Sequence, residues 1–445
     1  MTIKILPCAK RWNFPSVDLS TRMVRTCVRA YGPSVSREDV KKLGKNIFLN
    51  HPYMQKGREL MLKGEYQDDC KGCYKFLENG DDGFRTPYAT TLSELSKSYG
   101  ETVQSFEDHI TRPDYEEKYL ISPQARELEV SFGNICDLMC VYCDSNYSSL
   151  IEAEDRKYNQ TNLQFARNPI EANDDFLNAF WKWMEEDSIK DIHIIHLIGG
   201  ETLYNNYFYV FMKRLNEIYV RGGYSHEITL NVFTNLNNKS SVNKFIETVQ
   251  SIHPNFRFNL MFSNESVGAK AEFIRSGLSW ERAQANVKAV ASVERIKLGF
   301  SPSFNALSMT SATDFLMFIR SLKKNSSHQF LCGNNYISTP QGYSPFILST
   351  DFIPYIGETL YFLSKFGNQF LTNESVEKLS ILFESLRGGI QNNSENPTPQ
   401  LNRDRVDFFR RVNLMKTRRN ADFDSAFPEY RDFYDYCGTL ATENA

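Results

Sequence analysis

ELEVSFGNICDLMCVYCDSNYSS, residues 127–149, joins an apolar run of strand character to a short loop that carries Cys136, Cys140 and Cys143. Three thiolates on one loop can each take one iron of a cubane cluster, which leaves the fourth iron open to a chelating molecule. A structural zinc ion asks for four protein ligands, and none of the seven histidines falls within this loop to complete such a set.

Moving outward, the same strand-then-helix texture repeats from about residue 126 to 340. Runs rich in Ile, Val and Phe, bounded by polar or turn residues, predict strands at 127–133, 191–198, 227–234, 256–263, 296–301 and 334–339. Between them the pattern predicts helices at 174–186, 205–219, 240–251, 279–294 and 311–324, with Ser311 and the first-turn acid Asp314 as a capping arrangement. Six such units predict an α/β fold, a parallel sheet with helices on its outer face, and favour a partial (β/α)6 TIM-like barrel over an open sheet, between which spacing alone does not decide. Ligands are then expected where strands end and loops begin. The expected organisation is an N-terminal module over 1–125, the barrel over 126–340 and a C-terminal helical extension over 341–445. A helix is expected near 52–64 and others near 351–366, 373–388 and 403–418. Gln391–Gln400 is expected to be an exposed linker, because Pro397 and Pro399 oppose a helix there.

At 445 residues, with 41% apolar content and a formal charge of −3 spread along the chain, bulk electrostatics give no reason to expect nucleic-acid binding. No stretch is apolar for the roughly 18 residues that a membrane span needs, and the opening MTIKILPCAKRWNF lacks the apolar core of a secretory signal. The chain therefore reads as soluble and cytoplasmic. In a reducing compartment nine cysteines point to metal rather than disulfides, and seven of the nine lie before residue 144. Cys332 and Cys437 stand alone and are expected to be buried small hydrophobes.

The spacing C-x-x-x-C-x-aromatic-C directly after the first strand resembles the radical S-adenosylmethionine superfamily. The resemblance implies a 4Fe–4S cluster on Cys136, Cys140 and Cys143, with S-adenosylmethionine chelated at the open iron and Tyr142 near the adenine. Gly199-Gly200-Glu201 follows the second strand, where the glycines allow close backbone approach and Glu201 is a candidate acceptor for the methionine ammonium. Thr234-Asn235 is similar to the pair that closes the third strand in many relatives. Ser263 and Glu265 are candidates for ribose or methionine contacts, Arg275 for a bidentate grip on the methionine carboxylate, and Asn305 for an adenosine contact.

Cys8, Cys27, Cys70 and Cys73 resemble the twitch and SPASM modules, which hold auxiliary iron–sulfur clusters. Trp12, Tyr74 and Gly80 fit the pattern of relatives that carry this module first. Arg11 replaces a proline, Glu78 comes one place late, and Phe84 stands where a small polar residue is usual. Four thiolates would close a second 4Fe–4S cluster and leave no open iron; a four-cysteine zinc site fits the C-x-x-C half equally well. The tail around Phe427-Pro428-Glu429 is also similar to the ends of twitch-type relatives, and is expected to cover the barrel mouth or pack on the N-terminal module.

What the resemblance implies is reductive cleavage of S-adenosylmethionine to a 5′-deoxyadenosyl radical that takes hydrogen from a substrate carbon. The substrate is expected to be a peptide or protein, with a small metabolite as the alternative, and the electron to come from a donor such as flavodoxin or ferredoxin. A two-cluster electron-transfer or binding protein without turnover is the reading from another class.

Overall fold

The computed structural model of the chain describes residues 7–443 except 28–29, 31, 72, 75–87, 113–115, 161–162, 164–166, 168–169, 171–173 and 327. Twelve strands occur among the described residues. In chain order they are β1 (Ser16–Asp18), β2 (Met23–Arg25), β3 (Glu127–Ser131), β4 (Met139–Cys140), β5 (Ile194–Ile198), β6 (Ile228–Thr234), β7 (Phe256–Phe262), β8 (Arg275–Ser276), β9 (Ile296–Phe300), β10 (Ser303–Phe304), β11 (Leu331–Cys332) and β12 (Asn335–Tyr336).

Eight of these form one sheet in the order β11-β9-β7-β6-β5-β3-β1-β2, parallel throughout except for the β1–β2 hairpin. From β3 onward each strand lies beside its predecessor in the series, as a β-helix-β succession requires. The first five core strands occupy the places that the apolar runs predict. The sixth does not: β11 takes that place at Leu331–Cys332, while Asn335–Tyr336, inside the predicted 334–339 run, pairs with β10 in a separate two-stranded sheet. The hairpin at residues 16–25 extends the sheet beyond β3, with Val17 opposite Val130.

Burial alternates strictly along β6 and β7, because successive side chains point to opposite faces. Leu230, Val232, Phe258 and Leu260 pack under the helices. The other face carries a polar ladder, in which Asn259 donates to Asn231 Oδ1 at 2.9 Å and Asn231 meets the His196 ring at 3.2 Å. The core helices run Asp175–Trp183, Asn206–Arg221, Lys239–Ser251, Trp280–Ala291 and Ala312–Leu322. Ser311 does not cap the last of these; its hydroxyl bonds Ser266 Oγ at 2.6 Å instead.

Helices Ile353–Phe366, Asn373–Glu395, Pro399–Arg419 and Arg431–Glu443 build the C-terminal region. The linker expected at Gln391–Gln400 shrinks to 396–398, because Pro399 begins a helix rather than breaking one. At the first helical position proline loses no hydrogen bond and its φ is already suitable. The 427–429 tail packs on the segments that follow β7 and β10. Phe427 stacks edge-on against Phe273, and Glu429 accepts from Lys270 and Thr310 at 2.5 Å each. Among the described residues no helix is long and apolar enough to cross a membrane.

Candidate functional site

The three-cysteine loop leaves β3 and is fixed by its own polar side chains. Asn134 Nδ2 donates to the Ser145 carbonyl at 3.1 Å and to Glu152 at 2.8 Å, and Ser148 Oγ donates to the Leu138 carbonyl at 2.8 Å. Ser148 also caps the helix Ser149–Lys157 that ends the loop. Inside the loop β4 pairs antiparallel with β8, which puts Cys140 opposite Arg275. From behind, Arg419 donates to the Met139 carbonyl at 2.7 Å and forks onto both Glu154 oxygens at 2.9 and 2.7 Å. The C-terminal region thus braces the loop, a role no local sequence signal announces.

Cys136, Cys140 and Cys143 line a single cavity of about 230 Å³ at the C-terminal ends of the parallel strands. Tyr142, Gly199, Gly200, Glu201, Thr234, Asn235, Ser263 and Arg275 line it with them. Leu138, Tyr147, Ile198, Phe233 and Ser303 complete the wall, and none of them carries a sequence signal of its own. Each sits within a loop or strand end that was flagged, so its position along the chain was the only available signal.

Glu201 is an acceptor held in advance. Its Oε1 takes Leu203 N–H at 3.1 Å and Thr234 Oγ1–H at 2.5 Å, and its Oε2 takes Asn235 N–H at 2.7 Å. Burial pushes its carboxyl up to about 7, against the pull of those donors. Asp137 of the cysteine loop in turn accepts from the side chains of Asn235 at 2.8 Å and Asn237 at 3.0 Å, tying the loop to the end of β6.

Gly200 is required by backbone approach. Glu201 N–H donates to the Ile135 carbonyl at 2.7 Å, and a Cβ on Gly200 would stand 2.5 Å from the carbonyl oxygens of both Asn134 and Ile135. Gly200→Ala should therefore displace the cysteine loop, at about 1–3 kcal/mol of stability. The loss should appear as a lower urea midpoint, and a variant with wild-type stability would show that the loop shifts freely.

Arg275 lines the cavity, but its charge is committed to Glu265, Nη2 to Oε2 at 2.6 Å with both side chains buried. Its Nε is buried and has no hydrogen-bond partner among the described residues. Glu265 lies behind the cavity wall, where it also accepts from Tyr142 Oη at 3.1 Å. Asn305 is fully buried outside the lining, its amide spent as a cap: Oδ1 accepts Leu307 N–H at 3.0 Å and Nδ2 donates to the Ser303 carbonyl at 3.1 Å.

Burial raises all three thiols, with Cys143 reaching about 12, and Cys140 reinforces the rise at its two neighbours. A thiolate here needs a cation beside it, such as Arg275 Nη1 at 3.8 Å from Cys140 Sγ or a bound metal ion. Among the described residues no three His, Cys, Asp or Glu side chains stand close enough to share one metal ion. Thiolates of a cubane bind separate irons and need not meet at a point. The three-cysteine loop, the clamped Glu201 carboxylate and the orphaned Arg275 Nε together fit a cluster with a polar, zwitterionic ligand.

In the N-terminal segment Cys8, Cys27, Cys70 and Cys73 line one small cavity with Lys10, Arg11, Asp69 and Tyr74. Burial pushes the Cys70 thiol up to about 12. Trp12 is buried and its indole N–H donates to the Tyr119 carbonyl at 2.8 Å. Glu78, Gly80 and Phe84 fall outside the described residues. Cys332 and Cys437 are buried apart from both cavities.

No family model matches the chain, and no curated protein does. Among solved structures, that of Streptococcus suis SuiB bound to its precursor peptide SuiA is similar at 15% identity over 74% of this chain, with a TM-score of 0.37. A second structure of Streptococcus suis SuiB gives 15% identity and a TM-score of 0.34. The chain spans 64% of the length of either SuiB chain.

Proposed function

We propose that this chain is a radical S-adenosylmethionine enzyme. The observation that carries the reading is the convergence of Cys136, Cys140 and Cys143 with the preset acceptor Glu201 and with Arg275 around one cavity. In this reading residues 126–340 are a partial (β/α)6 barrel, 1–125 an auxiliary cluster module and 341–445 a helical extension. Cys136, Cys140 and Cys143 would hold the cluster, which would supply the one electron for reductive cleavage of S-adenosylmethionine to methionine and a 5′-deoxyadenosyl radical, the species that would take hydrogen from substrate.

The protein's part is binding, orientation and exclusion of water. Glu201 receives the methionine ammonium, and Arg275, which lines the same cavity, offers its guanidinium to the carboxylate end. Thr234 and Asn235 act through Glu201 by fixing its carboxylate. Ser263 and Ser303 offer hydroxyls to the ribose, and Tyr142, Phe233 and Tyr147 give the adenine an aromatic border. The substrate is a peptide or protein, a choice supported by the twitch-like cysteine pattern and by apolar side chains left exposed near the mouth, Tyr147 at 62% and Ile135 at 46%. The electron comes from a flavodoxin- or ferredoxin-type donor.

The test is anaerobic reconstitution with iron and sulfide, then incubation with dithionite and S-adenosylmethionine, scored for 5′-deoxyadenosine. About eight irons per chain are expected from two cubanes, and about half that number if the N-terminal site takes zinc. Absence of 5′-deoxyadenosine from fully loaded protein counts against the enzyme and for a two-cluster carrier. Cys70→Ala should lower the iron by about four per chain and spare cleavage of S-adenosylmethionine more than it spares substrate turnover. Equal losses of both would remove the distinction between the two sites.

A further inference from the structure

We propose that Arg11 is a positioning and tuning residue of an anionic four-thiolate centre in the N-terminal cavity, and that its hydrogen bonds to the Cys70 sulfur raise that centre's reduction potential. The inference rests on the reading of this centre as a 4Fe–4S cluster.

The Arg11 guanidinium is engaged on every edge. Nη2 lies 2.8 Å and Nε 3.3 Å from Cys70 Sγ, Nη1 donates to Thr26 Oγ1 at 2.8 Å, and Nη2 also pairs with Asp69. The side chain is 3% exposed, so neither water nor rotation competes with this geometry. A fork of N–H groups aimed at sulfur is a charge-assisted donor set for a thiolate.

Among the described residues the buried charge around it is positive. Arg58, fully buried, donates only to neutral oxygens: the carbonyls of Arg11 at 2.9 Å, Leu49 at 2.5 Å and Leu120 at 2.8 Å, and Asn50 Oδ1 at 2.9 Å. Arg58 thus braces the Arg11 backbone and adds a second buried positive charge where Asp69 offers one negative. Lys10 lines the cavity as well, but its ammonium is paired with Glu127 at 3.9 Å and adds no uncompensated charge. Buried charge without a counter-charge is expensive, and a four-thiolate centre supplies the anion. A 4Fe–4S cluster on four cysteines is negative in both redox states and gains one further negative charge on one-electron reduction. N–H···S bonds and nearby positive charge stabilise the reduced form more, which raises the potential.

The test is an EPR-monitored potentiometric titration of the reconstituted full chain, for wild type, Arg11→Gln and Arg11→Lys. The signal that S-adenosylmethionine perturbs marks the three-cysteine cluster; the unperturbed one marks the N-terminal centre. The expected result is a more negative midpoint for the N-terminal signal in Arg11→Gln, an intermediate one in Arg11→Lys, and an unmoved midpoint for the other signal. An unchanged N-terminal midpoint in Arg11→Gln overturns the proposal. Should Arg11→Gln lose the second cluster, Arg11→Lys decides: retention at a lowered midpoint supports the proposal, while loss or an unchanged midpoint overturns it. Zinc or a single cluster in wild type, seen by metal analysis, overturns the cluster reading itself and is thereby told apart from failure of Arg11.

Discussion

Cys140→Ala is expected to reduce 5′-deoxyadenosine formation to below detection. Cys140 is the central thiol of the loop, and its backbone is fixed on both sides: β4 pairs with β8, and Arg419 grips the carbonyl of the preceding Met139. The other two thiols cannot move into its place, because Cys136 is anchored through Ser149 and Cys143 N–H donates to the Cys140 carbonyl at 3.1 Å. Two thiolates leave two irons of a cubane without protein ligands, so about four irons per chain should be lost. The N-terminal centre should keep its own, which makes the remaining iron an internal control. The backbone bonds that hold the loop involve no sulfur atom of Cys140, so the fold should survive and far-ultraviolet circular dichroism should match wild type. Undiminished product from this variant would place the reductive chemistry elsewhere in the chain and would remove the basis of the proposed function.

The core strands were legible because each is a run rich in Ile, Val, Leu and Phe with polar or turn residues at its ends, and one face of each is buried under helices. The sixth was not: Leu331 and Cys332 make a two-residue edge strand, too short to show any period, while the longer run after it belongs to a separate pairing. The β1–β2 hairpin was missed for the same reason, since three residues per strand leave no pattern. Within the site, the local elements were legible. The cysteine spacing and Gly199-Gly200-Glu201 are contiguous motifs, and the structure brings them to one cavity. What sequence could not show is commitment between distant residues. Glu265 and Arg275 both read as ligand contacts, and the fold also pairs them with each other. Asn305 reads as a contact and serves as a helix cap, and Arg419 sits far along the chain from the loop it holds.

That buried pair carries the second large expectation. Glu265 is fully buried and the Arg275 side chain is 6% exposed, so neither charge can relax into water if its partner is removed. Glu265→Gln keeps the size and leaves the guanidinium uncompensated, for which the expected cost is about 3–5 kcal/mol. The loss should appear as a lower urea midpoint at unchanged slope. Arg275→Met exposes the converse defect, a buried carboxylate whose remaining partners are Tyr142 Oη and the Ser303 N–H at 3.5 Å. The double variant should be less destabilised than the sum of the two singles, by about 0.5–3 kcal/mol, because the second substitution removes the charge that the first left stranded. Strict additivity would mean that the two residues do not depend on each other. A cost below about 1 kcal/mol for Glu265→Gln would mean that Arg275 finds its counter-charge elsewhere, and Cys140 Sγ, 3.8 Å from Nη1, is the group within reach. Loading the protein with iron and sulfide would then separate the cases: a thiolate held by iron should restore stability to Glu265→Gln, and a thiol should not.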